Sequence, residues 1–169
     1  GVPMNDLHRW IRKKELVDLT IRLVQIPTEN PPGNERTAVP FLRSTLSKMG
    51  FKVKKVLSPK GRWNILAEKR WGKGGRTLIF NGHLDVVPAG DPSQWKYPPF
   101  QGKLYKGRIF GRGASDMKSG IASFIHALSV IDRSKIKLQQ GGAILHLVSD
   151  EESHGHQGMG FLTRRGGIQ

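Results

Sequence analysis

A chain of 169 residues can hold one domain with a core of its own, and its 37% hydrophobic and 24% charged content is that of a globular protein. Cysteine is absent, which excludes disulfides and thiolate metal sites and leaves histidine and carboxylates as the only metal donors. The net charge is +15, no apolar run reaches membrane-spanning length and no secretory h-region opens the sequence, so a cytoplasmic location is expected. "GVP" before Met4 carries no structural weight.

In "KKELVDLTIRLVQI", Leu16, Leu19, Leu23 and Ile26 recur at helical spacing, and Pro27 stops the helix. "PTENPPGN" is a loop, after which Asn34 is placed to cap a second helix running to Met49, with Gly50 as its stop and Pro40 as a source of a kink. The period then changes. "FKVKKVL" and "WNILAEK" read as strands, and "RWGKGGR" turns into a short buried strand, "TLIF". A proline-rich irregular stretch follows Pro88, and "GKLYKGRIFGRG" reads as a hairpin turning at Lys106-Gly107. "DMKSGIASFIHALSVID" is an amphipathic helix opened by Asp116, with Ile121, Phe124, Ile125, Leu128 and Ile131 on one stripe. "AILHLV" is a strand running into Asp150-Glu151-Glu152, and "GHQGMGFLTRRGG" is a short helix between glycines. Strands alternating with helices predict an α/β fold: a mostly parallel sheet flanked by helices on both faces, with no internal domain boundary.

The basic residues scatter through "RKK", "KVKK", "KRWGKGGR" and "RR", which suits a solvated surface better than a nucleic-acid footprint. A basic binding module is the non-enzyme alternative. The acids are fewer and they cluster, at Asp85, Asp116 and Asp150-Glu151-Glu152. Taken singly, Asp116 is a first-turn helix acid, the acidic triplet a solvated loop and His83 a satisfied histidine. Taken together they differ. His83 and Asp85 share one face of an extended segment, and adjacent acids at a strand end repel one another unless a cation or a proton intervenes. One imidazole and several carboxylates beyond the carboxyl ends of two strands suit a hydrolytic zinc-type site. His146, inside its strand, is expected in the core. His126 is expected on the solvated side of its helix, and His154 and His156 in an exposed turn.

The stretch "GHLDVVPAGDPSQWKYPPFQGKLYKGRIFGRGASDMKSG", then "SDEE", with "VQIPTENPPGNE" near the start, resembles the dinuclear zinc hydrolases of the family that includes acetylornithine deacetylase, succinyl-diaminopimelate desuccinylase, aminoacylase and glutamate carboxypeptidase. The resemblance implies a zinc-exopeptidase-like catalytic domain. His83 would ligate one metal and Asp85 would orient it. Asp116 would bridge two metals, with a cis peptide to Met117. Glu151 would be the general base, and Glu152 a ligand of the second metal. It implies two divalent ions, zinc or cobalt, and a small anionic N-acyl amino acid or peptide as substrate. The deacetylase and desuccinylase branch is preferred to the aminoacylase, dipeptidase and carboxypeptidase branches. Family members are roughly twice this length and form homodimers through a lid domain. Residues 1–169 would then be the N-terminal part of the catalytic domain, without the lid and the C-terminal return. A further acidic ligand and a late histidine would lie past Gln169, so the chain alone is expected to bind zinc weakly or not at all and to be inactive.

Overall fold

In the computed structural model, which describes residues 4–166, a 3₁₀ segment, Met4–Trp10, leads into helix α1, Lys13–Val24. The opening "GVP" and the final glycine of the expected C-terminal stop, Gly167, lie outside the described residues. α1 buries Leu23 and Val24 and half-buries Leu16 and Leu19, as their spacing requires. The second helix differs from expectation. Residues Glu35–Ala38 form a 3₁₀ turn, and α2 proper is Val39–Lys48, with Pro40 in its first turn, where a missing N–H costs nothing. Asn34 gives no side-chain cap, and its carbonyl instead accepts from the amide and hydroxyl of Thr37 at 3.0 and 2.7 Å.

Strands β1 (Lys52–Leu57), β2 (Trp63–Arg70), β3 (Thr77–His83) and β6 (Gly142–Val148) form one sheet in the order β1-β2-β6-β3. Between β3 and β6 lie the hairpin strands β4 (Lys103–Tyr105) and β5 (Arg108–Phe110), which pair only with each other, and helix α3 (Ser119–Ser134). Lys106 and Gly107, both at positive φ (46° and 75°), make the expected hairpin turn. Helix α4 (Met159–Arg164) closes the described chain.

The expectation of a mostly parallel sheet is wrong. β1 pairs antiparallel with β2, and β2 antiparallel with β6; only β3 and β6 run parallel. The cause is connection length. Residues 58–62 close a tight turn, with the Ser58 amide donating to the Arg62 carbonyl at 2.9 Å, and a parallel pair needs a crossover of about a dozen residues or more. Only the path from β3 through α3 to β6 is long enough for one.

α1, α2 and α3 cover one face of the sheet, against Ile65, Ala67, Ala143, Leu145 and Leu147. On the other face, α4 packs Leu162 on Val56 and Val148. The outer strand β3 leaves Leu78 and Ile79 exposed, at 59% and 49%. His146 is buried, as expected. His126 is buried too, against expectation: its Nε2 accepts the Arg12 amide at 3.2 Å, because the N-terminal segment lies over α3. No helix among the described residues is long and apolar enough to cross a membrane.

Asp116 does not open α3. Its φ and ψ, −122° and 98°, are extended; its peptide bond to Met117 is cis; and regular helix begins at Ser119. Lys118 anchors this irregular turn to α1. It is 2% exposed, and its Nζ donates to the carbonyls of Leu23 and Ile26 at 2.9 and 2.5 Å, while burial pushes its pKa down to about 8. Lys118→Met should strand both carbonyls and cost about 1–3 kcal/mol, read from urea unfolding.

Candidate metal centre

The parallel pairing of β3 with β6 sets two carboxyl ends side by side. His83 is in register with Val148, and the Leu84 amide donates to the Val148 carbonyl at 2.7 Å. The residues that follow each strand, Asp85 on one and Asp150-Glu151-Glu152 on the other, therefore meet above the sheet. The turn before α3 comes in over Gly82, where an added Cβ would lie 3.2 Å from both Ile121 and Met117. That close approach carries Asp116 to the same place.

His83 is 6% exposed and its ring is fixed at both nitrogens. Nδ1 lies 2.9 Å from the Asp85 carbonyl, an acceptor only, so Nδ1 carries a proton. The Asp85 carboxylate stands 3.5 Å from the same nitrogen. Nε2 faces outward, 2.9 Å from Asp116 Oδ1 and 3.7 Å from Glu151 Oε2. Burial lowers the pKa of this imidazole, but the hydrogen bonds to Asp85 and Asp116 outweigh it and raise the value to about 9.

Asp85 is fully buried. It accepts from the Glu151 and Glu152 amides, at 3.1 Å each, and from the Asn30 amide at 2.9 Å. Burial alone would raise its pKa, yet the bonds from His83, Asn30 and the two backbone amides hold it below the usual aspartate range. Glu152 moves the other way, upward, because it is desolvated and faces the negative charges of Asp116, Asp85 and Glu151. Donor atoms of His83, Glu151 and Glu152 all lie within 4.8 Å of one another. One imidazole nitrogen and two carboxylates, one of them desolvated beside other acids, form a set that fits a divalent ion of the zinc type. Asp116, its side chain 74% exposed, stands at the rim, and Asp85 lies behind the ring.

Asp150, grouped with the other acids in the sequence, points away from them. It is buried, accepts from Arg62 Nη1 at 3.1 Å and from the Gln157 amide at 3.0 Å, and lies 3.4 Å from the Asn30 amide nitrogen. Sequence reasoning missed Asn30, Glu35 and Arg62. The one available signal was that "VQIPTENPPGNE", which holds Asn30 and Glu35, belongs to the family resemblance. His154 and His156 lie in an exposed turn, their rings stacked at 6.3 Å between centroids.

Residues 79–168, which carry His83, Asp85, Asp116, Glu151 and Glu152, match the model of peptidase family M20/M25/M40. The chain belongs to that family. The succinyl-diaminopimelate desuccinylase of Paracoccus denitrificans is 42% identical over 83% of this chain, and that of Ehrlichia canis is 37% identical over 80%. Those stretches cover 35% and 34% of the two relatives, so the chain spans about a third of their length. Among solved structures, the M20 family metallo-carboxypeptidase Sso-CP2 from Sulfolobus solfataricus superposes with a TM-score of 0.75 at 24% identity, over 89% of this chain and 34% of that one. Human carnosine dipeptidase 1 gives 0.71 at 25% identity, over 85% and 34%. The M20/M25/M40 match begins at Ile79, so Asn30, Glu35 and Arg62 lie outside it, although they build the floor of the same site.

Proposed function

We propose that this chain carries part of the active site of a metal-dependent amidohydrolase that cleaves the amide bond of a small N-acyl amino acid, with an N-succinyl or N-acetyl group as the acyl part. The observation that supports this reading best is the His83–Glu151–Glu152 donor cluster, held by Asp85, in a chain 42% identical to a succinyl-diaminopimelate desuccinylase. On this reading residues 1–169 are the N-terminal part of the catalytic domain, and the remaining ligands and the homodimer contacts belong to the rest of the full-length protein.

His83 and Glu152 would hold metal, and Asp116, projecting beside His83 Nε2, would bridge two ions. Bound divalent ions of the zinc type supply a Lewis acid and lower the pKa of water. The residues of this chain would do the rest. Asp85 keeps the proton of His83 on Nδ1, so Nε2 is free to ligate. Glu151, its side chain 58% exposed, can take the proton from a water molecule and return it to the leaving nitrogen. The hydroxyl joins the acyl carbon, the C–N bond breaks, and the products are a carboxylate and an amine. The full-length protein, supplied with zinc or cobalt, should hydrolyse N-succinyl or N-acetyl amino acids. Cleavage of dipeptides alone would move the assignment to a peptidase, and no metal-dependent hydrolysis of any of these would end the reading.

Metal and proton compete for His83. With a pKa near 9 in the metal-free protein, the ring must lose a proton before Nε2 can ligate, so apparent metal affinity should rise about tenfold per pH unit from pH 6.5 toward 9. The stability linkage has the opposite sign. A histidine raised from 6.5 stabilises the metal-free fold fully below pH 6.5, and that contribution is lost as pH rises through 9. Calorimetric metal titrations at several pH values check the first effect.

A further inference from the structure

Below the candidate metal centre lies a buried ionic network that no part of the proposed chemistry uses. Arg62 is 9% exposed. Its Nε donates to Glu35 Oε2 at 2.8 Å, Nη2 donates to Glu35 Oε1, and Nη1 donates to Asp150 Oδ1 at 3.1 Å. Asn30, also buried, uses one amide nitrogen to reach both Asp85 Oδ2, at 2.9 Å, and Asp150 Oδ1, at 3.4 Å. Gly33 makes room for this: a Cβ there would lie 2.1 Å from Arg62 Nε, and φ at Gly33 is +95°. Loop 27–34, the β1–β2 turn and the end of β6 are thereby tied at one point.

We propose that Arg62 and Asn30 are positioning residues for the Glu151-Glu152 turn, holding its two anchors, Asp150 and Asp85, so that both glutamates face His83. The inference deepens the proposed function and rests on it for the identity of the site. The turn needs such support. Glu151–Ser153 is a single 3₁₀ turn, entered from Asp150 at a φ of 66° that only a few non-glycine residues adopt. Its own packing is slight, and its acids repel one another. Within the turn, the Ser153 and Gly155 amides donate to the Asp150 carbonyl at 3.2 and 2.6 Å; what ties it to the rest of the fold is the pair of amides bonded to Asp85 and the Gln157 amide bonded to Asp150. Both carboxylates are buried, and each keeps its place only while a cation or an amide donor faces it. Arg62 supplies the charge and the planar fork. Lysine at this position would keep the charge and lose the fork.

Arg62→Lys and Asn30→Ala in the full-length protein test this. Hydrogen exchange is read at the Glu151, Glu152 and Gln157 amides against the Leu145 and Leu147 amides of β6, and cobalt affinity is read from the visible spectrum. Expected are exchange at least tenfold faster in the turn, unchanged protection in β6, and cobalt affinity lower by about 10–100-fold. If Arg62→Lys loses β6 protection as well, it reports unfolding, and Asn30→Ala, which removes no charge, decides. Turn exchange equal to wild type in a folded Asn30→Ala protein would overturn the proposal. Faster turn exchange in a protein whose wild type takes up no cobalt would keep the positioning role and remove the metal-centre reading instead.

Discussion

Glu151→Gln in the full-length protein should lower kcat by roughly 10²–10⁴-fold while leaving bound metal unchanged. Glutamine keeps the shape and loses the basic carboxylate, so a group that only shuttles a proton is removed with little else disturbed. Glu151 is nevertheless one of three residues whose donor atoms lie within 4.8 Å of one another, and its Oε2 is 3.7 Å from His83 Nε2. Metal analysis of the purified variant separates the two roles. Loss of kcat with full metal content identifies a base, and loss of both identifies a ligand.

Asp85→Ala should damage stability and metal binding together. The carboxylate is fully buried and accepts three hydrogen bonds, from Asn30 and the amides of Glu151 and Glu152, besides facing His83. Its removal leaves those donors unpaired and a raised-pKa imidazole without its countercharge, at a cost of about 3–5 kcal/mol in chemical unfolding. Metal affinity should fall by about 10–100-fold, since the carbonyl of residue 85 still holds Nδ1 but the turn that carries the glutamates is released. The wild-type linkage has a definite sign. Asp85 is held below its ordinary pKa, so its contribution is present in full above about pH 4 and is lost only as pH falls through the lower folded value. Acid titration of the fold in wild type and variant, compared below pH 4, isolates it.

Much of this was legible in the residues. The period change after Gly50 located the strands, the stripe from Ile121 to Ile131 located α3, and His83, Asp116, Glu151 and Glu152 were named from clustering and motif. Three things were not legible, each for a physical reason. Strand direction depends on loop length and on partners distant in sequence, and the apolar pattern of β2 is the same whether its neighbour runs up or down. His126 lies on the polar side of its own helix; only the return of the N-terminal segment across α3 buries it. Nothing local in the sequence marks Arg62, Glu35 and Asp150 as buried, because a buried ion pair has no local signature: each member is accounted for by a partner 27 or 88 residues away. The acidic triplet therefore reads as one unit in the sequence, whereas in the fold Asp150 bonds to the interior and Glu151 and Glu152 face His83.

The parallel partner of β3 is made late. Residues 84–141 must be synthesised before β6 begins, a delay of about 3–12 s at ordinary translation rates. Until then His83 has no neighbouring glutamates, and Leu78 and Ile79 have no sheet. The topology sets an order of synthesis: α1 and the β1–β2 hairpin precede β6 in the chain, and His83 gains Glu151 and Glu152 as neighbours only once β6 lies between β2 and β3. A mutation that slows that insertion would reduce the yield of folded protein without altering His83, Glu151 or Glu152.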